Sequence, residues 1–161
     1  MEKNKELEQL IDETITSTYI LLSEVLDINN IYEYKRNNQR KNLWLFTDMN
    51  NINHFIIINK DLKIDNDRTF EIKFGWLKNN KPNYEKPQNY DDKVFNTHIH
   101  ILINDILKEY DKYNLIYSFK PTDKYRFRLY KIAITKFLDL NKYNVEYNEK
   151  EYLILISNIC K

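Results

Sequence analysis

The segment Ser118–Leu138, SFKPTDKYRFRLYKIAITKFL, gathers the residues best able to do chemistry. Lys124, Arg126, Arg128 and Lys131 alternate there with Tyr125, Phe127 and Tyr130. Cations spaced in this way can hold an anion, and interleaved aromatics can stack on bases. From Lys120 to Leu138 there are six positive residues (Lys120, Lys124, Arg126, Arg128, Lys131, Lys136) and one negative, Asp123. The window carries +5 in a chain of net charge +1, which leaves the remainder at −4. Such an asymmetry points to an anionic partner on one element. At helical spacing the segment divides in two. Phe127, Tyr130, Ala133, Ile134, Phe137 and Leu138 face a core, and Lys124, Arg128, Lys131 and Thr135 face away from it. Lys124, Arg126, Arg128 and Lys131 are therefore the candidate contacts for an anion or a partner. Arginine near a helix start opposes the dipole, so Arg126 and Arg128 call for a carboxylate, and Asp91 or Asp92 at the neighbouring helix start is the expected one.

Other chemistries find few residues to work with. His98 and His100 are two apart and project about 200° from each other on a helix, so they cannot chelate one metal from adjacent turns. They read as helix-flank histidines, with Asp105 and Glu109 beside His98 in a surface charge cluster. His54 is remote in sequence. Ser17, Ser23, Ser118 and Ser157 lack a glycine-flanked turn, and Cys160, the sole cysteine, lies one residue from the last. Gly75 is the only glycine, which excludes phosphate loops, dinucleotide fingerprints and nucleophile elbows. No metal, no cofactor and no catalytic residue is expected from these patterns. One cysteine cannot make an internal disulfide, the charged start from Met1 to Leu10 lacks a signal-peptide apolar stretch, and no apolar run approaches the roughly 20 residues that span a bilayer. The expected location is the cytoplasm, with no membrane partner.

The elements that would position these residues follow from periodicity. Leu7, Leu10, Ile11, Thr14, Thr18, Leu21, Leu22 and Val25 predict a helix over Glu2–Leu26. Ile31–Arg36, Leu43–Thr47, His54–Asn59 and Thr69–Leu77 predict a strand meander, separated by Asn- and Asp-rich turns. Lys78–Asp91, with Pro82 and Pro87, predicts one long loop. Asp91–Tyr110 predicts a helix with Phe95, Ile99, Leu102, Ile103, Ile106 and Tyr110 on its apolar face. Asn114–Lys120 is a strand, Pro121-Thr122-Asp123 starts a helix that runs to Leu138, and Tyr143–Tyr147 with Tyr152–Ser157 forms a closing hairpin. The sum is one α+β domain over residues 1–161, with a largely antiparallel sheet of about six or seven strands and three helices.

This order of elements resembles the acyl-CoA-dependent N-acetyltransferase fold: strand meander, helix, strand, helix, closing hairpin. Arg128-Leu129-Tyr130, early in the helix after the penultimate sheet segment, is similar to that family's step in which a tyrosine acts as general acid for the leaving thiolate. The resemblance implies that role for Tyr130. That family also carries an Arg/Gln-x-x-Gly-x-Gly/Ala turn whose amides hold a pyrophosphate. The same junction here reads EKPQNYDDKVFNT, without glycine, with Pro87, and with Asp91 and Asp92 where phosphates would lie. A second likeness is more local. DDKVFNTHIHILINDIL followed by IYSFKPTDKYRFRLY is similar to a family of small uncharacterised proteins from phages and Bacteroidota, through Phe74, Gly75, Asp92, Val94, Thr97, Arg126, Arg128, Leu129 and Tyr130. It spans about Thr69 to Leu138 and implies a mobile-element setting without a particular activity.

The resulting expectation is a non-enzymatic phage or mobile-element protein, a virion component or host-interaction factor, whose partner is another protein or a second copy. Two alternatives stand beside it. One is an N-acetyltransferase-like enzyme with an atypical donor site and Tyr130 as acid. The other is a nucleic-acid-binding protein that uses the basic helix 123–138.

Overall fold

The computed structural model describes residues 26–60, 69–85, 91–109, 116–121 and 124–159. Strands β1 (Tyr34–Arg36), β2 (Leu43–Thr47), β3 (Asn53–Lys60) and β4 (Thr69–Lys78) form the meander, each antiparallel to the last. Trp44, Phe46, His54, Ile56, Ile58, Ile72 and Phe74 alternate onto one face, where all but Phe74 are fully buried. The β2–β3 turn is closed by Asp48. Its Oδ1 accepts the N–H groups of Asn50 (2.8 Å) and Ile52 (3.0 Å), and Asn51 takes the left-handed φ of 63° that asparagine tolerates.

The stretch expected as one long loop from Lys78 begins instead as a hairpin. Asn79 (φ 52°) and Asn80 (φ 61°) make a two-residue turn, and β5 (Lys81–Asn83) folds back on the end of β4 with Lys81 opposite Lys78. Two successive positive φ values are the geometry of a type I′ turn, whose twist suits paired strands.

Helix α1 (Asp92–His100) continues into a π-helical stretch, Ile101–Ile106, and a last α-turn, Leu107–Glu109. Then come β6 (Ile116–Phe119), α2 (Lys124–Phe137), β7 (Tyr143–Asn148) and β8 (Leu153–Asn158). The sheet runs β1-β2-β3-β4-β6-β8-β7, with β5 paired off the path to β4, and β4–β6 is its one parallel pair of neighbours among the described residues. The fold is thus α+β and mostly antiparallel as expected, with eight strands among the described residues rather than six or seven. Two helices lie among the described residues, and the helix expected over Glu2–Leu26 lies outside them except for Leu26. β4–α1–β6 and β6–α2–β7 are both crossovers that step the same way along the sheet, so right-handedness brings both helices to one face. Ring contacts agree: Phe74 meets His98 of α1 at 5.0 Å and Tyr130 of α2 at 5.3 Å.

Helix α1 was expected to bury one stripe, but it is buried almost all round. Val94 through Ile99 are all buried, including Asn96, Thr97 and His98. The segment 26–32 crosses the side of α1 away from the sheet. Tyr32 N–H donates to Thr97 Oγ1 (2.9 Å), Tyr32 Oη donates to Asp91 Oδ2 (2.7 Å), and Ile28 carbonyl lies 3.0 Å from His100 Nδ1. Helix α2 flanks it through Phe95 and Tyr130, whose rings are 5.0 Å apart. No helix among the described residues is long and apolar enough to cross a membrane.

Gly75 is explained by the opposite sheet face. It sits directly across from Phe55, and a Cβ there would lie 2.5 Å from Phe55 Cζ and 3.0 Å from the Asn83 carbonyl. Gly75→Ala is expected to lower stability by about 1–3 kcal/mol, read as a lower urea midpoint at unchanged slope, and Phe55→Leu in the same chain should recover part of that loss.

Candidate functional site

Strand β4 pairs along its length with β3 but divides its other edge. Thr69–Glu71 pair with β6 and Trp76–Lys78 pair with β5, so among the described residues Ile72–Gly75 have a strand on one side only. The division follows from the chain: β6 stops at Phe119, and Pro121, which cannot donate to a ladder, turns it toward α2 while β4 continues. Between the parting strands lies a cleft of about 220 Å³. Glu71 and Lys73 line it from one face of β4, and Ile72 and Phe74 from the other. Tyr84, Lys120, Pro121, Arg126 and Tyr130 complete it. The C-terminal ends of diverging parallel strands are a recurrent place for ligands, because the backbone there is both fixed and unshared.

Deeper in, a small cavity of about 20 Å³ touches His54, Phe74, Gly75, Tyr84, His98, Arg126 and Tyr130. Three polar residues from separate elements meet around it. His54 Nε2 is 2.9 Å from Asp48 Oδ2, with side chains 1 % and 0 % exposed. The His54 and His98 ring centroids are 6.0 Å apart. Phe46 stacks on His54 at 5.0 Å and meets His98 edge-on at 5.2 Å. Burial holds His54 below its ordinary value despite the opposing hydrogen bond and charge of Asp48. The Asp48–His54 contact is therefore a neutral imidazole donating to a carboxylate rather than an ion pair, and it fixes the tautomer. His98 is driven well below its ordinary value by burial first, then by His54 and Arg126. Neither of its ring nitrogens has a hydrogen-bond partner among the described residues. Such a group costs about 1–3 kcal/mol unless water or a ligand meets it. The cavity has room for about one water molecule, and its polar walls suit one. Burial also raises Tyr130, which keeps its phenol protonated at the cleft wall.

Of the residues singled out in the sequence, Arg126 and Tyr130 reach this cleft. Lys124 and Arg128 do not line it; Lys124 is exposed and Arg128 half-buried. Lys131 pairs with Glu149 and lies 5.0 Å over the Tyr147 ring. Asp91, expected opposite the arginines, caps its own helix: Oδ1 accepts Val94 N–H at 2.8 Å while Oδ2 accepts Tyr32 Oη. The surface cluster around His98 is not formed. His98 is 4 % exposed, Glu109 binds Arg36 through both oxygens (2.7 and 3.0 Å), and Asp105 bonds Tyr34. Asp48, His54, Phe74 and Tyr84 were not foreseen as a site. One signal was available: Asp48 and His54 are six apart across a tight turn, which brings a turn carboxylate within reach of a strand imidazole. Among the described residues no group of three His, Cys, Asp or Glu could hold a metal ion. No family model, no curated protein and no solved structure matches the chain.

Two measurements test this account of the buried group. His98→Leu removes both orphan nitrogens, so stability near pH 7.5 should stay within about 1 kcal/mol of the parent or rise, whereas Asp48→Ala, which strands two backbone N–H groups and His54, should cost about 3 kcal/mol. Both histidines are depressed in the folded state. The parent should therefore keep full stability above about pH 6.5 and lose it as pH falls below that value, where the unfolded chain protonates first. His98→Leu should flatten this slope in urea titrations between about pH 7.5 and 5.5.

Proposed function

We propose that the chain is an acyltransferase-like enzyme whose acyl donor lies in the cleft between β4 and β6. The observation that carries this reading is the edge of β4 from Ile72 to Gly75, which has a strand on one side only among the described residues and faces Arg126 and Tyr130. An extended donor arm with amide groups can bond to such an edge as an added strand does. The element order of meander, helix, strand, helix and hairpin supports the same reading.

In this reading an acceptor amine attacks the thioester carbonyl, a C–N bond forms, and the C–S bond breaks. Tyr130 Oη gives its proton to the departing thiolate and is re-protonated with the proton the amine loses, so the net proton movement is from amine to thiol. Burial keeps this phenol protonated, and the same shift makes it a weaker acid, so the donation depends on the thiolate forming beside it. Among the described residues the nucleotide end of a coenzyme donor has no matching cradle. The amides at the start of α1 are served by Asp91, and Asp92 adds a second negative charge beside them. The affinity should therefore reside in the arm.

Calorimetric titration with acetyl-CoA and with acetyl-pantetheine tests this. Both should saturate, with Kd values within about threefold of each other, about 0.6 kcal/mol. Tyr130→Phe should leave Kd nearly unchanged and slow thiol release from either donor by about 100-fold. Failure of both donors to saturate at millimolar concentration would sink the reading.

A further inference from the structure

If the cleft takes an acyl donor, the premise on which this inference rests, its walls also choose the acyl group. The charged residues that line it, among those described, are Glu71, Lys73, Lys120 and Arg126. Glu71 has Lys73 at 3.9 Å, so that pair is close to neutral, and Lys120 and Arg126 leave the cleft positive. A positive cleft favours a ligand that carries negative charge. Size narrows the choice further. Ligand pockets commonly run to about 300–1,000 Å³, so a cleft of about 220 Å³ holds the end of a thin arm and a short acyl group.

Arg126 stands where that negative charge belongs. It lines both the cleft and the small cavity beneath, and the two spaces also share Phe74, Tyr84 and Tyr130 as walls. Its charge is felt by His98 and by Tyr130 alike. A guanidinium has five N–H donors, so a partner within the protein leaves others for a ligand. His98 supplies one more donor. It is 4 % exposed, it lines the same cavity, and both its ring nitrogens lack a partner among the described residues. A neutral imidazole carries one N–H, which a carboxylate oxygen can accept. One such oxygen is about the size of the water molecule that the cavity admits, whereas a phosphoryl group would bring three outer oxygens to it. Arg126 and Tyr130 lie four residues apart on α2, about 6 Å along its axis. With the thioester carbonyl beside Tyr130 Oη, a carboxylate two methylenes away has the reach to meet Arg126.

We propose that the acyl group is a short dicarboxylic half-thioester of the succinyl class, with its free carboxylate held by Arg126 and one oxygen turned to His98. The bonds that break and form remain the C–S and C–N bonds of the transfer described above, and the free carboxylate takes no part in them.

The test is calorimetric titration of the full chain with the dethia analogues of acetyl-pantetheine and succinyl-pantetheine, in which a methylene replaces the sulfur so that neither is hydrolysed. Both should saturate, and the succinyl compound should bind at least about tenfold more tightly. Arg126→Gln should erase that preference and leave the acetyl compound within about threefold of its parent Kd, and His98→Leu should shrink the preference at least about threefold. Saturation by the acetyl compound with no gain for the succinyl compound would overturn this inference and leave the donor reading standing. Failure of both to saturate would sink the donor reading and this inference with it. Inorganic phosphate that displaces the succinyl compound as well as free succinate does would reject the carboxylate. Should Arg126→Gln unfold the chain, His98→Leu decides alone, and an unchanged preference in that variant would reject the proposal.

Discussion

Strand β4 is asked to serve three neighbours with two edges. One edge belongs to β3 throughout, and the other is divided between β6 at its start and β5 at its end. A parallel neighbour that leaves after three residue pairs opens a wedge in the sheet, and the wedge must be filled or it becomes a void. Aromatic rings fill it. Tyr130 stands 5.3 Å from Phe74, 5.3 Å from Phe119 and 5.0 Å from Phe95, so one side chain of α2 ties together β4, β6 and α1. Rings are the economical filling for a gap that widens, since each covers a large area with few rotatable bonds. The high aromatic content of the chain has a physical use at this point. What the rings do not fill is the cleft.

The polar residues beneath the cleft oppose this packing logic. A core that stacks Phe46 on His54 and Phe74 near His98 could have held two more apolar side chains there. Asp48 is the better explained member, because its carboxylate closes the β2–β3 turn and orients His54 at once. His98 closes nothing. Its orphan nitrogens subtract about 1–3 kcal/mol from a total that for a domain of this size is about 5–15 kcal/mol. The π-helical stretch begins three residues after it, and such widened turns commonly accompany sites that need a side chain in a set place. His98 stands instead beside the small cavity beneath the cleft, with His54 and Arg126.

The strand meander, the core-facing side of α2 and the closing hairpin were legible in the sequence because each depends on local alternation. The β5 hairpin was missed although Asn79-Asn80 is a turn signal, because the prolines that follow read as a loop. Helix α1 departs from its helical wheel for a tertiary reason. A helical wheel assumes one wet side, and the segment 26–32 covers the side that the wheel left to solvent. His98 was placed on the surface by that assumption. The site was legible only in part: Arg126 and Tyr130 stood out by spacing, whereas His54 and Asp48 reach the cleft through the pairing of β3 with β4, which spacing does not reveal. Lys131 was read as an exposed cation because Glu149, its partner, lies 18 residues away in the β7–β8 turn.

The alternation Lys124-Tyr125-Arg126-Phe127-Arg128 looks like one basic patch in the sequence, and helical geometry takes it apart. At about 100° per residue, Arg126 and Tyr130 share one side of α2 and turn to the cleft, while Lys124, Arg128, Lys131 and Thr135 share another, on which Lys131 lies over the Tyr147 ring. Phe127 lies between the two sets, fully buried, with its ring 5.7 Å from Tyr152 and 6.3 Å from Tyr147. It anchors the helix over the hairpin and thereby fixes both sides together. Fourteen residues of regular helix allow little independent movement between them. The cations nearest each other in sequence are thus held to different sides of the helix, and only Arg126 among the four reaches the cleft.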